Sequence, residues 1–133
     1  MMGVIRIKTT KRTSFVNITP LVREEVRKSN VKSGLCVIYV PHTTCAVFIN
    51  EGADPDVIKD ISYALEKLIP WNDSSYAHSE GNSAAHIRSS IIGNSRIVPV
   101  ENGELMLGTW ESIFIAEFDG PRERKVIIKV LEC

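Results

Sequence analysis

The sequence predicts an α+β domain with mostly antiparallel pairing and about three helices. Two observations carry that expectation. Short apolar runs rich in β-branched residues, Leu35–Val40, Cys45–Ile49 and Lys125–Leu131, have strand length. Taken in order, the elements read strands, helix, strands, two helices, strands, which is not regular βαβ alternation. A chain of 133 residues without a repeat or linker-like stretch is one domain's worth and can bury a sizeable core.

Gly3–Thr10 alternates loosely through Val4, Ile5 and Ile7 and reads as a strand; Ser14–Ile18 reads as a second, short one. Thr19-Pro20 supplies a hydroxyl N-cap and a proline at the first helical position, opening a helix to about Ser29. Leu35–Val40 and Cys45–Ile49 are continuous apolar runs, the pattern of strands covered on both faces. Asp54-Pro55 starts a helix that runs to about Ile69, with Val57, Ile58, Ile61, Ala64, Leu65 and Leu68 at helical spacing. Pro70-Trp71-Asn72-Asp73 ends it. A third helix spans Ser83–Ile92, with Asn82 or Ser83 as its cap and Gly93 after its end. Arg96–Val100 is a strand, Glu101-Asn102-Gly103-Glu104 a hairpin turn, and Leu105–Phe118 one or two strands bent at Gly108. Asp119-Gly120-Pro121 breaks the run before the last strand.

The totals exclude some roles. Lysine plus arginine and aspartate plus glutamate number 16 each, so the net charge is zero, against the basic excess of a general nucleic-acid binder. No apolar stretch suits a membrane span or a signal peptide. Cys36, Cys45 and Cys133 are odd in number and widely spaced, which reads as reduced, structural thiols in a cytoplasmic protein.

All three histidines sit in polar clusters. His42 lies in Pro41-His42-Thr43-Thr44 between two apolar runs, and His78 and His86 bracket Glu80-Gly81-Asn82 at the start of the third helix. A helix N-terminus offers free N–H groups that suit an anion. The imidazoles can form a three-histidine metal site or serve acid–base chemistry at a phosphate; they can also be unrelated surface groups. The third cluster is GTWESIFIAEFDGPRER, residues 108–124. Strand alternation puts Glu111, Ile113, Ile115 and Glu117 on one face. Glu117 therefore needs a partner, either a metal or an internal cation such as Arg122. Asp119, Arg122 and Arg124 follow within a few residues, acids for a divalent ion beside guanidinium groups for phosphate.

Three segments, HTTCAVFINEGADPDV (42–57), HSEGNSAAHIRSSIIG (78–93) and LGTWESIFIAEFDGPRERKV (107–126), resemble the YjbQ-type family of secondary thiamine-phosphate synthases. One position departs: Glu111 stands where that family usually has Gln. The resemblance implies a compact α+β domain built on a β-sandwich-like core, assembled as a homotrimer and acting on a small phosphorylated metabolite. It implies joining of hydroxymethylpyrimidine diphosphate to thiazole phosphate with release of pyrophosphate. A non-catalytic metal- or phosphometabolite-binding protein and a metal-dependent phosphohydrolase are the alternatives. On this reading His42, His78 and His86 are catalytic or bind a divalent metal, zinc or magnesium. Glu117 and Arg122 join them in catalysis. Thr43, Thr44, Asn50 and Glu51 contact substrate, with Glu80 and Asn82 from the second segment and Trp110, Asp119 and Arg124 from the third.

Overall fold

Alternation along the strands decides where the core sits. The computed structural model describes residues 2–133. Its elements are β1 (Met2–Lys8), β2 (Ser14–Asn17), α1 (Thr19–Ser29), β3 (Gly34–Tyr39), β4 (Cys45–Glu51), α2 (Pro55–Leu68), α3 (Ser83–Ile92), β5 (Ser95–Glu101), β6 (Glu104–Leu105), β7 (Glu111–Glu117) and β8 (Glu123–Glu132). They form a five-stranded sheet ordered β1-β8-β3-β5-β6 and a three-stranded sheet ordered β2-β7-β4. Every pairing is antiparallel. The predicted α+β class and the three helices are what the structure has.

The two sheets face each other across one core. Ile5, Cys36, Ile38, Val126, Ile128 and Val130 point in from the large sheet and meet Val47, Ile113 and Ile115 of the small one, with Val22 and Val26 of α1 filling in. The other face of the small sheet carries Ala46, Phe48, Phe114, Ala116 and Phe118, covered by Ala85 of α3 and by Ile58, Ile61 and Leu65 of α2. Hence β4 and β7 are the middle layer, apolar on both faces, as a continuous run requires.

Three local expectations need correction. β3 is not covered on both faces: Leu35 and Tyr39 are exposed on the outside of the large sheet, because no helix lies over it. Thr19 is not the N-cap of α1. Ile18 holds that place, and the Thr19 hydroxyl instead accepts the Ile113 N–H at 2.8 Å, tying the helix to β7. Although Asn82 does occupy the N-cap position of α3, its side chain makes no capping bond. Asp54 does cap α2, accepting from Asp56 N–H at 2.9 Å. All three cysteines are unpaired, Cys36 and Cys45 buried and Cys133 exposed. Among the described residues no helix is long and apolar enough to cross a membrane.

Candidate functional site

At one end of the sandwich the inward positions change from aliphatic to polar. Parity along β7 puts Glu117 on the same face as Ile113 and Ile115, and parity along β8 puts Arg124 with Val126 and Ile128. The two meet between the sheets, with side chains 0% and 5% exposed, so their charges compensate each other out of water. Arg124 Nε donates to Glu117 Oε1 at 2.8 Å, and its Nη2 donates to the Thr44 hydroxyl at 2.8 Å. The Thr9 hydroxyl donates to Glu117 Oε1 at 2.8 Å, and the Asp119 N–H donates to Oε2 at 3.0 Å. Burial alone raises a carboxyl's pKa; here the Arg124, Asp119 and Thr9 hydrogen bonds outweigh it and hold Glu117 below the usual range. Arg124 is correspondingly held above its ordinary value, Glu117 overcoming the effect of burial.

This buried pair anchors the loops above it. Thr44 belongs to the β3–β4 turn and Asp119 to the β7–β8 turn. The Asp119 carboxylate then accepts from Asn82 Nδ2 at 2.8 Å and from Arg122 Nη2 at 3.0 Å, while Arg122 Nε reaches the Asp119 carbonyl at 2.8 Å. Asn82 is thereby drawn away from capping. The first turn of α3 is left without a side-chain cap or an acidic residue, and Asn82 Oδ1 is buried without a partner. Gly120 is required in the turn, since a Cβ there would lie 2.2 Å from the Lys11 carbonyl oxygen.

The imidazoles stand over this frame. His42 Nε2 accepts the Lys125 N–H at 3.0 Å, so the neutral ring carries its proton on Nδ1. Burial, with the Arg124 charge behind it, lowers the His42 pKa. His78 and His86 meet edge to face, ring centroids 5.3 Å apart. All three histidines line one cleft of about 440 Å³, together with Thr43, Thr44, Glu80, Asn82, Asp119, Arg122 and Arg124. Three segments distant in sequence thus converge, and the cleft combines imidazoles and guanidinium groups beside Asn82, the N-cap residue of α3.

Other expected members stand elsewhere or act differently. Asn50, Glu51 and Trp110 line a separate hollow of about 160 Å³ with Ile49 and Glu111. The register runs from Cys45↔Glu117 to Glu51↔Glu111, so these residues sit a whole strand away, about 20 Å at the usual rise. Glu117 pairs with Arg124 rather than Arg122, and lies beneath the cleft rather than lining it. Among the described residues no group of three or more His, Cys, Asp or Glu side chains converges to hold a metal ion. His42 has already committed Nε2 to a backbone N–H, so the residues as placed do not fit the expected divalent ion. Cys45 borders an adjoining hollow, but burial pushes its thiol up to about 12, which leaves it protonated and a poor nucleophile. Sequence reasoning missed Thr9 and Ser89. Thr9 carries a signal: it shares inward parity with Ile5 and Ile7, so a hydroxyl there has to find a partner. Ser89, in the same hollow as Cys45, has a buried hydroxyl without one.

Residues 3–133 match the family model described as UPF0047 protein YjbQ-like. A UPF0047 protein of Methanocaldococcus jannaschii is 49% identical, covering 98% of this chain and 94% of that one. The UPF0047 protein YugU of Bacillus subtilis is 47% identical, covering 98% and 99%. A crystal structure of a YjbQ/UPF0047 protein of Clostridium acetobutylicum superposes with a TM-score of 0.95 at 46% identity, covering 97% of this chain and 99% of that one. One from Sulfolobus solfataricus, described as of unknown function, gives a TM-score of 0.95 at 33% identity, covering 100% and 97%. These findings overturn the expected synthase activity. The relatives are described only as UPF0047 proteins or as proteins of unknown function, and nothing in them supports formation of thiamine phosphate.

Proposed function

The chain belongs to the UPF0047 family of YjbQ-like proteins, and on that premise we propose that its histidine-lined cleft binds a small phosphorylated metabolite. The observation that carries this reading is the convergence of His42, His78, His86 and Arg122 on the uncapped start of α3. Phosphate suits that combination because each element offers N–H donors to an anion. Arg122 uses two donors on Asp119 and has others left on its fork. His78 and His86 donate to phosphate oxygens. His42, held neutral, donates from Nδ1. Thr43, Glu80 and Asn82 orient the rest of the ligand, and Asn82 Oδ1 takes a donor from it. Thr44, Asp119, Glu117 and Arg124 hold the loops in place.

The finer expectations about assembly and compartment belong to the same proposal. Val4, Leu35, Tyr39, Ile97 and Leu131 are exposed on the outer face of the large sheet, between Arg6, Lys125 and Lys129, and these apolar groups support self-association as a homotrimer. Three unpaired cysteines support a cytoplasmic setting. Light scattering tests the first: a solution mass of three chains is expected, and a monomer contradicts it.

Calorimetric titration of phosphate and pyrophosphate into wild type, His78→Gln, His86→Gln and Arg122→Gln tests the binding. Each variant is expected to keep its circular dichroism and to bind about tenfold more weakly, the loss of one hydrogen bond to a charged group. No binding by wild type, or equal binding by all four proteins, removes the reading.

A further inference from the structure

Two adjacent serines of α3 behave differently. Ser90 bonds as a helical serine ordinarily does, donating its hydroxyl to the carbonyl four residues back, that of His86, at 2.8 Å. The Ser89 hydroxyl has no partner, although the residue is only 6% exposed. A buried hydroxyl left unbonded costs stability, so its presence calls for a group that completes it. Ser89 lines a hollow of about 460 Å³, within the size range of small-molecule sites. His86, Ser89 and Gly93 stand at i, i+3 and i+7 and so share one face of the helix. Further lining comes from His42 and Thr43 of the β3–β4 turn, Cys45 at the start of β4, and Asn94. The frame is fixed from within the chain. The Gly93 carbonyl accepts the Val47 N–H at 3.1 Å and the Asn94 carbonyl accepts the Val40 N–H at 2.8 Å, which ties the end of α3 to both strands beside it. Walls built in advance lower the cost of binding.

No Asp, Glu, Lys or Arg lines this hollow. Burial keeps the His42 ring neutral, and with Nε2 taken by the Lys125 N–H its Nδ1 is left to donate. The Cys45 thiol is protonated, and the charges felt there, Arg124 and Glu117, cancel in their own pair. We infer that the hollow binds an uncharged polyhydroxylated molecule, a polyol or a small sugar, with one of its hydroxyls bonded to Ser89. A charged ligand would give up its hydration there without meeting a counter-charge. A hydroxyl both donates and accepts at one atom, which matches the hydroxyls of Thr43 and Ser89 and the two ends of the Asn94 carboxamide. No Phe, Tyr or Trp lines the space, so a flat base finds no large ring to stack on. The inference does not rest on the phosphate reading, although His42, Thr43 and His86 also line that cleft.

Amide shifts of the isotopically labelled full chain test this with five probes: sorbitol, glucose, gluconate, glucosamine and uracil. Sorbitol and glucose are expected to shift the Ser89, Ser90 and Asn94 amides saturably. Gluconate and glucosamine, similar in size but charged, and uracil, flat and without a hydroxyl chain, are expected to bind about tenfold more weakly. Ser89→Ala should weaken glucose about fivefold, the loss of one uncharged hydrogen bond. Its thermal midpoint should stay level or rise, since no bond within the chain is lost. Asn94→Ala, at an exposed position, should weaken glucose as well. The inference is overturned if neither sorbitol nor glucose shifts these amides, if gluconate, glucosamine or uracil binds as tightly as glucose, or if Ser89→Ala binds glucose as wild type does. Should Ser89→Ala not fold, Asn94→Ala decides in the same way: weakened binding supports the inference and unchanged binding overturns it.

Discussion

Glu117 and Glu111 occupy the same face of the same strand, six residues apart in sequence, yet they live in opposite circumstances. Glu117 is buried and bonded to Arg124, Thr9 and the Asp119 N–H. Glu111 is exposed and stands across the ladder from Glu51. Each of those two accepts a backbone N–H: Glu111 from Gly108 at 2.8 Å and Glu51 from Ala53 at 3.0 Å. One end of the β4–β7 pair is therefore closed by a matched pair of charges that supports three loops. The other end is a wet edge where like charges oppose. A charged residue beside an apolar run is a sign of a built site only where the fold brings the opposite charge to it.

Breaking the buried pair gives the largest expected effect. Glu117→Gln leaves Arg124 buried without its counter-charge and should cost about 3–5 kcal/mol in denaturant unfolding. Replacing both partners, Glu117→Leu with Arg124→Met, should restore much of that stability. It should still weaken phosphate binding, since Thr44 and Asp119 lose their anchor. Next comes the cleft itself: His86→Gln should weaken phosphate by about tenfold, whereas Trp110→Ala at the far end should leave the affinity unchanged.

A smaller effect is expected from pH. The folded His42 pKa lies below its ordinary 6.5, so the unfolded chain takes up the proton first. The stability this neutral ring contributes is complete above pH 6.5 and is lost as pH falls from there toward the folded value. Thermal midpoints should therefore drop more steeply below that pH in wild type than in His42→Asn. The smallest effect has the opposite sign to the first. Glu111→Gln keeps an acceptor for the Gly108 N–H while removing the like charge across from Glu51, and should stabilise by about 0.2–1 kcal/mol.

The sequence made legible whatever follows from periodicity. The Asn82 start and Gly93 end of α3 and the two-faced burial of β4 follow from it, and so does α2 in part, where Val57, Ile58, Ile61 and Leu65 are half-buried while Ala64 and Leu68 at the same spacing stay exposed. The convergence of His42 with His78 and His86 was also within reach, because polar clusters flanking core strands must emerge at their ends. What escaped was information that resides in pairing. Whether Asn50 and Glu51 join His42 depends on which end of β4 they occupy relative to the β3–β4 turn. Whether Glu117 meets Arg122 or Arg124 depends on strand parity past the Gly120-Pro121 turn. The bare outer face of β3 depends on where the helices pack, which no single strand encodes.

The central claim is that the cleft, and not the Trp110 edge, receives a phosphate-bearing ligand. Titration of inorganic phosphate into isotopically labelled protein, followed residue by residue by NMR, tests it most directly. The account predicts saturable shifts in the His78 and His86 imidazoles, the Arg122 side chain and the Ser83 and Ala84 amides, with the Glu51 amide and the Trp110 indole unmoved. Shifts centred on Glu51 and Trp110, or none in the cleft at saturating phosphate, would contradict it.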